Sequence, residues 1–116
     1  MLSEKEIYQH IPQLFTICNN PIEVIIRDEI TIPIDMDEVD VRYGQWNEVA
    51  LTIELARSVR VDDNPIPLTL EQIQSTFTHE LMHCFEFFSS IPYDEQKVQL
   101  FANWFREFEI SKKFKK

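Results

Sequence analysis

The sequence predicts an α+β domain in which a small, mostly antiparallel sheet packs on one long helix. Three observations predict it. β-Branched residues recur at alternate positions across 22–34 and 39–55, the period of a sheet with one buried face. Two capping boxes, Ser3 with Glu6 and Thr69 with Gln72, each precede apolar residues at helical spacing. A hydrophobic fraction of 44% with nine Phe furnishes a core, while one Gly and six Pro are unlike the composition of a disordered chain. At 116 residues the chain fits a single domain, 1–116, and no repeat or linker divides it.

After Ser3, the spacing of Ile7, Ile11, Leu14 and Phe15 predicts a helix over 3–15, kinked or divided by Pro12. Asn19-Asn20-Pro21 reads as a turn. Ile22, Val24, Ile26, Ile30, Ile32 and Ile34 hold one parity and predict a strand bent near Asp28. Asp35, Asp37, Glu38 and Asp40 lack the glycine and the length of a calcium loop, so they read as a solvated turn. Val39, Val41 and Tyr43 then form an antiparallel pair with Val49, Leu51, Ile53 and Leu55 across Gly44-Gln45-Trp46-Asn47. Asp62-Asp63-Asn64-Pro65 breaks the sheet, and the second capping box opens a helix from about Leu70 to Ser90 that Pro92 stops. Asp94 caps a last helix over about 95–110, whose apolar arc is Val98, Phe101, Phe105 and Phe108.

A formal charge of −9 leaves no basic surface to follow a phosphate backbone, which argues against nucleic acid as a partner. Lys112, Lys113, Lys115 and Lys116 read as a solvated, fraying tail. Cys18 and Cys84 make no disulfide framework and no C-x-x-C pair, so both are expected to stay reduced. MLSEKEIYQH carries acids where a signal peptide needs a basic start, and no apolar run reaches the ~18 residues of a membrane span. The expected location is the cytoplasm, away from membranes.

Residues 79–83, HELMH, carry the chemistry. Two histidines four apart on a helix fall about 40° apart around it and about 6 Å apart along it, so both imidazoles reach one ion. Glu80 sits on the flank of His83, where its carboxylate faces a water on the metal rather than the metal itself. The opposite arc holds Ile73, Phe77, Leu81, Cys84, Phe85 and Phe88, with Met82 and Phe87 on its shoulders. Polar groups on so buried an element need partners, and a metal supplies one. By chance alone the pattern occurs in roughly one in a few hundred chains of this length, so the third ligand decides its meaning.

Hydrolytic zinc sites take three protein ligands. A metzincin-type third His after a Gly turn is excluded, because the sole Gly is Gly44 and no His follows His83. Glu95, in the first turn of the next helix, is one candidate third ligand, with Asp94 and Glu86 as its rivals. Asp94 is better used as a cap, and Glu86 is separated from His79 by about 10 Å along a straight helix. Tyr43, Tyr93, His10, Cys84, Trp46 and Trp104 read as packing or surface residues.

The segments TFTHELMH and EQKVQLFANWF together resemble the glutamate-ligand zincins, or gluzincins, including ImmA/IrrE-type peptidases and small phage-encoded H-E-x-x-H proteins. In these a helix of the form E-x-x-[AV]-x-x-[FL]-A follows the active-site helix. The resemblance implies a zincin-like fold, Zn²⁺ held by His79, His83 and Glu95, Glu80 as general base, and hydrolysis of a peptide or protein substrate. It places Gln99 where such families put a polar residue, usually Asn or Asp, that orients a histidine. It also places an edge strand for an extended peptide at Leu51 to Leu55. A zinc-binding regulatory or partner-binding module without turnover is the competing expectation.

Overall fold

The computed structural model describes residues 1–35, 38–89 and 95–115, with the side chains of 32–40 and 95–98 outside the description. The elements in order are α1 (Glu4–Tyr8), β1 (Leu14–Ile17), β2 (Asn20–Arg27), β3 (Ile30–Asp35), β4 (Glu38–Arg42), β5 (Gly44–Asn47), β6 (Thr52–Ala56), β7 (Ser58–Val61), β8 (Asn64–Pro67), α2 (Leu70–Phe88) and α3 (Glu95–Ser111). A four-stranded sheet runs β1-β2-β6-β5, and β3-β4 and β7-β8 form separate two-stranded hairpins. Among the described residues only the β2–β6 pair is parallel. The architecture is thus α+β with a mostly antiparallel sheet, as the residue patterns predict.

Alternation sets the core. Val24 and Ile26 of β2 stand beside Ile53 and Leu55 of β6, and all four are buried. Phe15 and Ile17 of β1 extend the same buried layer. Ile73, Phe77, Leu81, Cys84 and Phe85 of α2 face it. Burial of this apolar set is the main driving force for the fold. Cys84 behaves as a small apolar residue, its thiol pushed up to about 12 first of all by burial.

The N-terminal helix ends at Tyr8, well short of residue 15. Pro12 has no N–H to give and disfavours helical backbone at Ile11, while Leu14 to Ile17 gain a full antiparallel ladder with β2. Ile7, Ile11 and Phe15 suit either periodicity, and pairing decides. The hydroxyl of Tyr8 donates to the Val24 carbonyl at 2.7 Å and fixes α1 on the sheet.

The strand expected over 22–34 is two strands. At Asp28 the ladder of β2 gives way to anchoring by the next segment, with Arg57 ion-paired to the Asp28 carboxylate and the Ser58 N–H bonded to the Asp28 carbonyl. β3 then leaves to pair with β4. Of the acidic residues expected in a turn, Asp35 ends β3 and Glu38 and Asp40 belong to β4, drawn into the strands by their pairing, while Asp37 lies outside the described residues.

Gly44–Asn47 is not a turn but the strand β5, antiparallel to β6. The turn falls later, where the Asn47 side chain accepts from the N–H groups of Val49 and Ala50 and Leu51 takes a φ of 56°. Likewise Asp62 and Asp63, at φ 50° and 64°, do more than end a sheet. They form the two-residue turn of the β7–β8 hairpin.

α2 and α3 start and end close to the expected positions, but Trp104 is buried in place of the half-exposed Phe105. The start of the lysine tail is anchored as well: the Lys113 carbonyl accepts from the N–H groups of Gln13 and Leu14, its N–H donates to the Leu14 carbonyl, and Lys112 pairs with Glu109, while Lys116 lies outside the described residues. Glu107 fastens α3 to the β1–β2 turn, accepting from Thr16 Oγ1 at 2.8 Å and from the N–H groups of Cys18 and Asn19 at 2.8 and 3.1 Å. Burial pushes this carboxyl up, but the bonds from Asn19, Thr16 and Cys18 outweigh it and hold it below its ordinary value.

A carboxyl depressed in the folded state adds stability above its unfolded pKa and loses it as pH falls through the folded pKa. Glu107→Gln is therefore expected to melt below wild type at neutral pH, with the gap closing once the pH is well below about 4. Thermal midpoints of both proteins at pH 7 and pH 3 check this, and a gap that persists at pH 3 contradicts the role given to the carboxylate.

Candidate metal centre

α2 forms because Thr69 and Gln72 close both halves of a capping box. The Thr69 side chain accepts from the Gln72 N–H at 3.2 Å and the Gln72 side chain accepts from the Thr69 N–H at 2.8 Å. Once the apolar arc is committed to the sheet, helical periodicity turns Ser75, Thr76, His79, Glu80, His83, Glu86 and Phe87 toward an open cleft of about 940 Å³. Val41 to Trp46 supply its other wall.

The two histidines meet at one point. Their Nε2 atoms are 3.0 Å apart and their rings stand at 82° to one another. Two nitrogens bound to one tetrahedral zinc at about 2.0–2.1 Å lie roughly 3.3 Å apart, so the pair is already close to the required bite. Ligand-type atoms of His79, Glu80 and His83 all lie within 4.8 Å of one another. Such a group could hold a metal ion, and two imidazoles on one ion are chemistry that zinc takes.

The expectation that burial forces a partner on all three residues is corrected here. His79 and His83 are exposed to the cleft and bear no such penalty, whereas Glu80 is buried, 7% exposed. Among the described residues no hydrogen bond reaches the Glu80 carboxylate. The Glu80 carboxylate thus faces the two imidazoles without a donor among the described residues, and Trp46 Nε1, on the facing wall, is likewise buried without a partner among them.

Glu95 begins α3, as expected, but its side chain lies outside the described residues, as do Asp94 and Tyr93 altogether. Gln99 does not orient a histidine. It is exposed and donates to Asn103 Oδ1 at 3.1 Å along its own helix. Glu86 sits instead beside His83, with Oε2 at 3.5 Å from Nδ1. The signal was present as H-x-x-E over 83–86, the spacing at which helix neighbours meet.

The wall opposite α2 is β5, not the segment Leu51 to Leu55. β6 lies between β2 and β5, so the edge of the sheet beside the cleft is Gly44–Asn47. Gly44 allows the helix to lie this close. A Cβ at Gly44 would meet Thr76 Cγ2 at 2.6 Å and the Glu54 carbonyl at 2.9 Å. Trp46, from the same strand, packs against Phe87 and Phe88 with ring centroids 5.7 and 6.4 Å away. Tyr43 is half-exposed and lines the cleft, while His10 is a surface residue of the N-terminal segment.

Comparison with known proteins gives no match: no family model fits the sequence, and no curated protein or solved structure aligns with it significantly. No helix among the described residues is long and apolar enough to cross a membrane.

Gly44→Ala is expected to force α2 away from β5 and destabilise the fold by about 1–3 kcal/mol, the usual cost of overpacking. Denaturant unfolding measures it. An unchanged midpoint contradicts the close approach at Thr76.

Proposed function

We propose that the cleft is the active site of a zinc-dependent peptidase of gluzincin type, in which His79, His83 and Glu95 hold the ion and Glu80 is the general base. The observation that carries this reading is the convergence of two Nε2 atoms 3.0 Å apart with the buried, otherwise unpartnered carboxylate of Glu80. The likeness of TFTHELMH and EQKVQLFANWF to gluzincins supports it and supplies the third ligand.

When bound, zinc acts as a Lewis acid that acidifies a water toward a pKa of ~7 and polarises the scissile carbonyl. The chain's residues do the rest. His79 and His83 present lone pairs on neutral Nε2 atoms. Glu80 accepts the proton of the attacking water on a carboxylate oxygen and returns it to the leaving amine. Its place suits it to this exchange, because its ligand-type atom lies within 4.8 Å of those of both histidines. β5 offers its free edge to an extended peptide, whose backbone would pair with Gly44–Asn47 beside the metal.

The purified chain is expected to hold about one zinc, and His79→Ala and His83→Ala to lose it, with Glu95→Ala binding far more weakly. Stoichiometric zinc in either histidine variant, by elemental analysis, sinks the site. Glu80→Gln is expected to keep fold and zinc while cleavage of a peptide library falls by on the order of 10²–10⁴-fold. A wild-type protein that binds zinc and cleaves nothing in the library is instead a binding module. Cleavage unchanged in Glu80→Gln removes Glu80 from its role.

A further inference from the structure

The side chain of Glu86 approaches His83 on the face of the imidazole turned away from His79. Oε2 of Glu86 lies 3.5 Å from Nδ1, while Nε2 lies 3.0 Å from Nε2 of His79. The two ring nitrogens point in different directions, so a carboxylate seated at Nδ1 faces away from the gap between the histidines. We propose that Glu86 is a positioning residue: it accepts the Nδ1–H of His83, and so fixes the tautomer and ring orientation in which Nε2 is free to bind the metal. This rests on the reading of the histidine pair as a metal site.

Three features of the helix favour this role over a bland surface pair. A neutral imidazole divides between two tautomers, and only the one with its proton on Nδ1 leaves the Nε2 lone pair available, so an acceptor at Nδ1 selects the binding form. Gln99, the residue otherwise placed to orient a histidine, is engaged with Asn103. Glu86 also stands in the last turn of α2, where the helix dipole opposes a negative charge and where no basic residue offsets it. A residue in an unfavourable place for the helix is then in a favourable place for His83. Its backbone is fixed there, since the Glu86 carbonyl accepts the Ser89 N–H at 3.1 Å.

The test is zinc affinity of the full chain, by competition with a chromophoric chelator. Glu86→Ala is expected to raise the zinc Kd by about 10–100-fold, and Glu86→Gln, which keeps an acceptor oxygen, by less. Glu48→Gln removes the same charge from the same cleft at a residue that forms no ion pair with His83, and its Kd is expected to stay within about threefold of wild type, since exposed charges are screened. The metal-free melting point of Glu86→Ala is expected to hold or rise, which a merely structural role would not allow. In the zinc-loaded wild type, ¹⁵N–¹H spectra should show His83 as the Nδ1–H tautomer with a slowly exchanging proton, lost in Glu86→Ala. Equal affinity in Glu86→Ala and wild type overturns the proposal, as does an equal loss in Glu86→Ala and Glu48→Gln. Loss as complete as in His83→Ala makes Glu86 a ligand instead and overturns it too. Wild type that takes up no zinc fails at the metal site itself, a result distinct from the others.

Discussion

A helix and a strand can lie only as close as the side chains between them permit, and at the crossing of α2 and β5 that limit is set by the absence of one. Gly44 leaves room for Thr76 Cγ2 and the Glu54 carbonyl where any Cβ would collide. Thr76 is one turn before His79 and Glu80, so the same contact determines how far the free edge of the sheet stands from the candidate ligands. The chain contains one glycine, and it is used for this approach rather than for a turn: its φ is not positive, while the left-handed turn positions go to Cys18, Asn19, Leu51, Asp62 and Asp63.

With that distance set, α2 has two unlike faces. The apolar arc from Ile73 to Phe85 is committed to the sheet, and the rows beside it open on the cleft. Glu80 falls at the border. It is buried like a core residue, yet its ligand-type atom lies within 4.8 Å of those of both histidines. All the residues discussed for the metal pair, its base and its orienter lie at 79, 80, 83 and 86 of a single helix, so their mutual geometry is fixed by helical repeat rather than by loop packing.

What could be read from the residues follows the range of the forces involved. Helix starts are local, and the two capping boxes mark α1 and α2 correctly. HELMH is local too, since i and i+4 meet on any helix. Strand pairing is not local. The alternation over 22–34 and 39–55 gives the faces but not the partners, so β2 pairs across the intervening hairpin with β6, and Gly44–Asn47, poor in β-formers, becomes a strand only because β6 is there to pair with it. The helix expected over 3–15 fails for the same reason: Ile7, Ile11 and Phe15 fit two periods, and β2 chooses between them. At the site, Glu86 was legible as a neighbour of His83 but was weighed only as a ligand to the ion, where its distance from His79 counts against it. Hydrogen bonding to the far ring nitrogen needs no such reach.

The two helices of the proposed centre are tied to opposite ends of the sheet order. α2 lies on β5 and β6, whereas α3 is fastened to β1 through Glu107, Ser111 and the strand-like pairing of Lys113. Between them the contact is aromatic, with Phe85 against Phe101 and Trp104 at ring-centroid distances of 5.7 and 6.2 Å. In the proposed reading the histidines come from one helix and Glu95 from the other, so the ion would join elements that also meet through these aromatic rings. Metal binding would then be linked to how α3 is seated, because a ligand that needs both helices in register stabilises that arrangement in proportion to its affinity. The Glu107 anchor acts near the far end of α3, about three turns from the first turn where Glu95 stands.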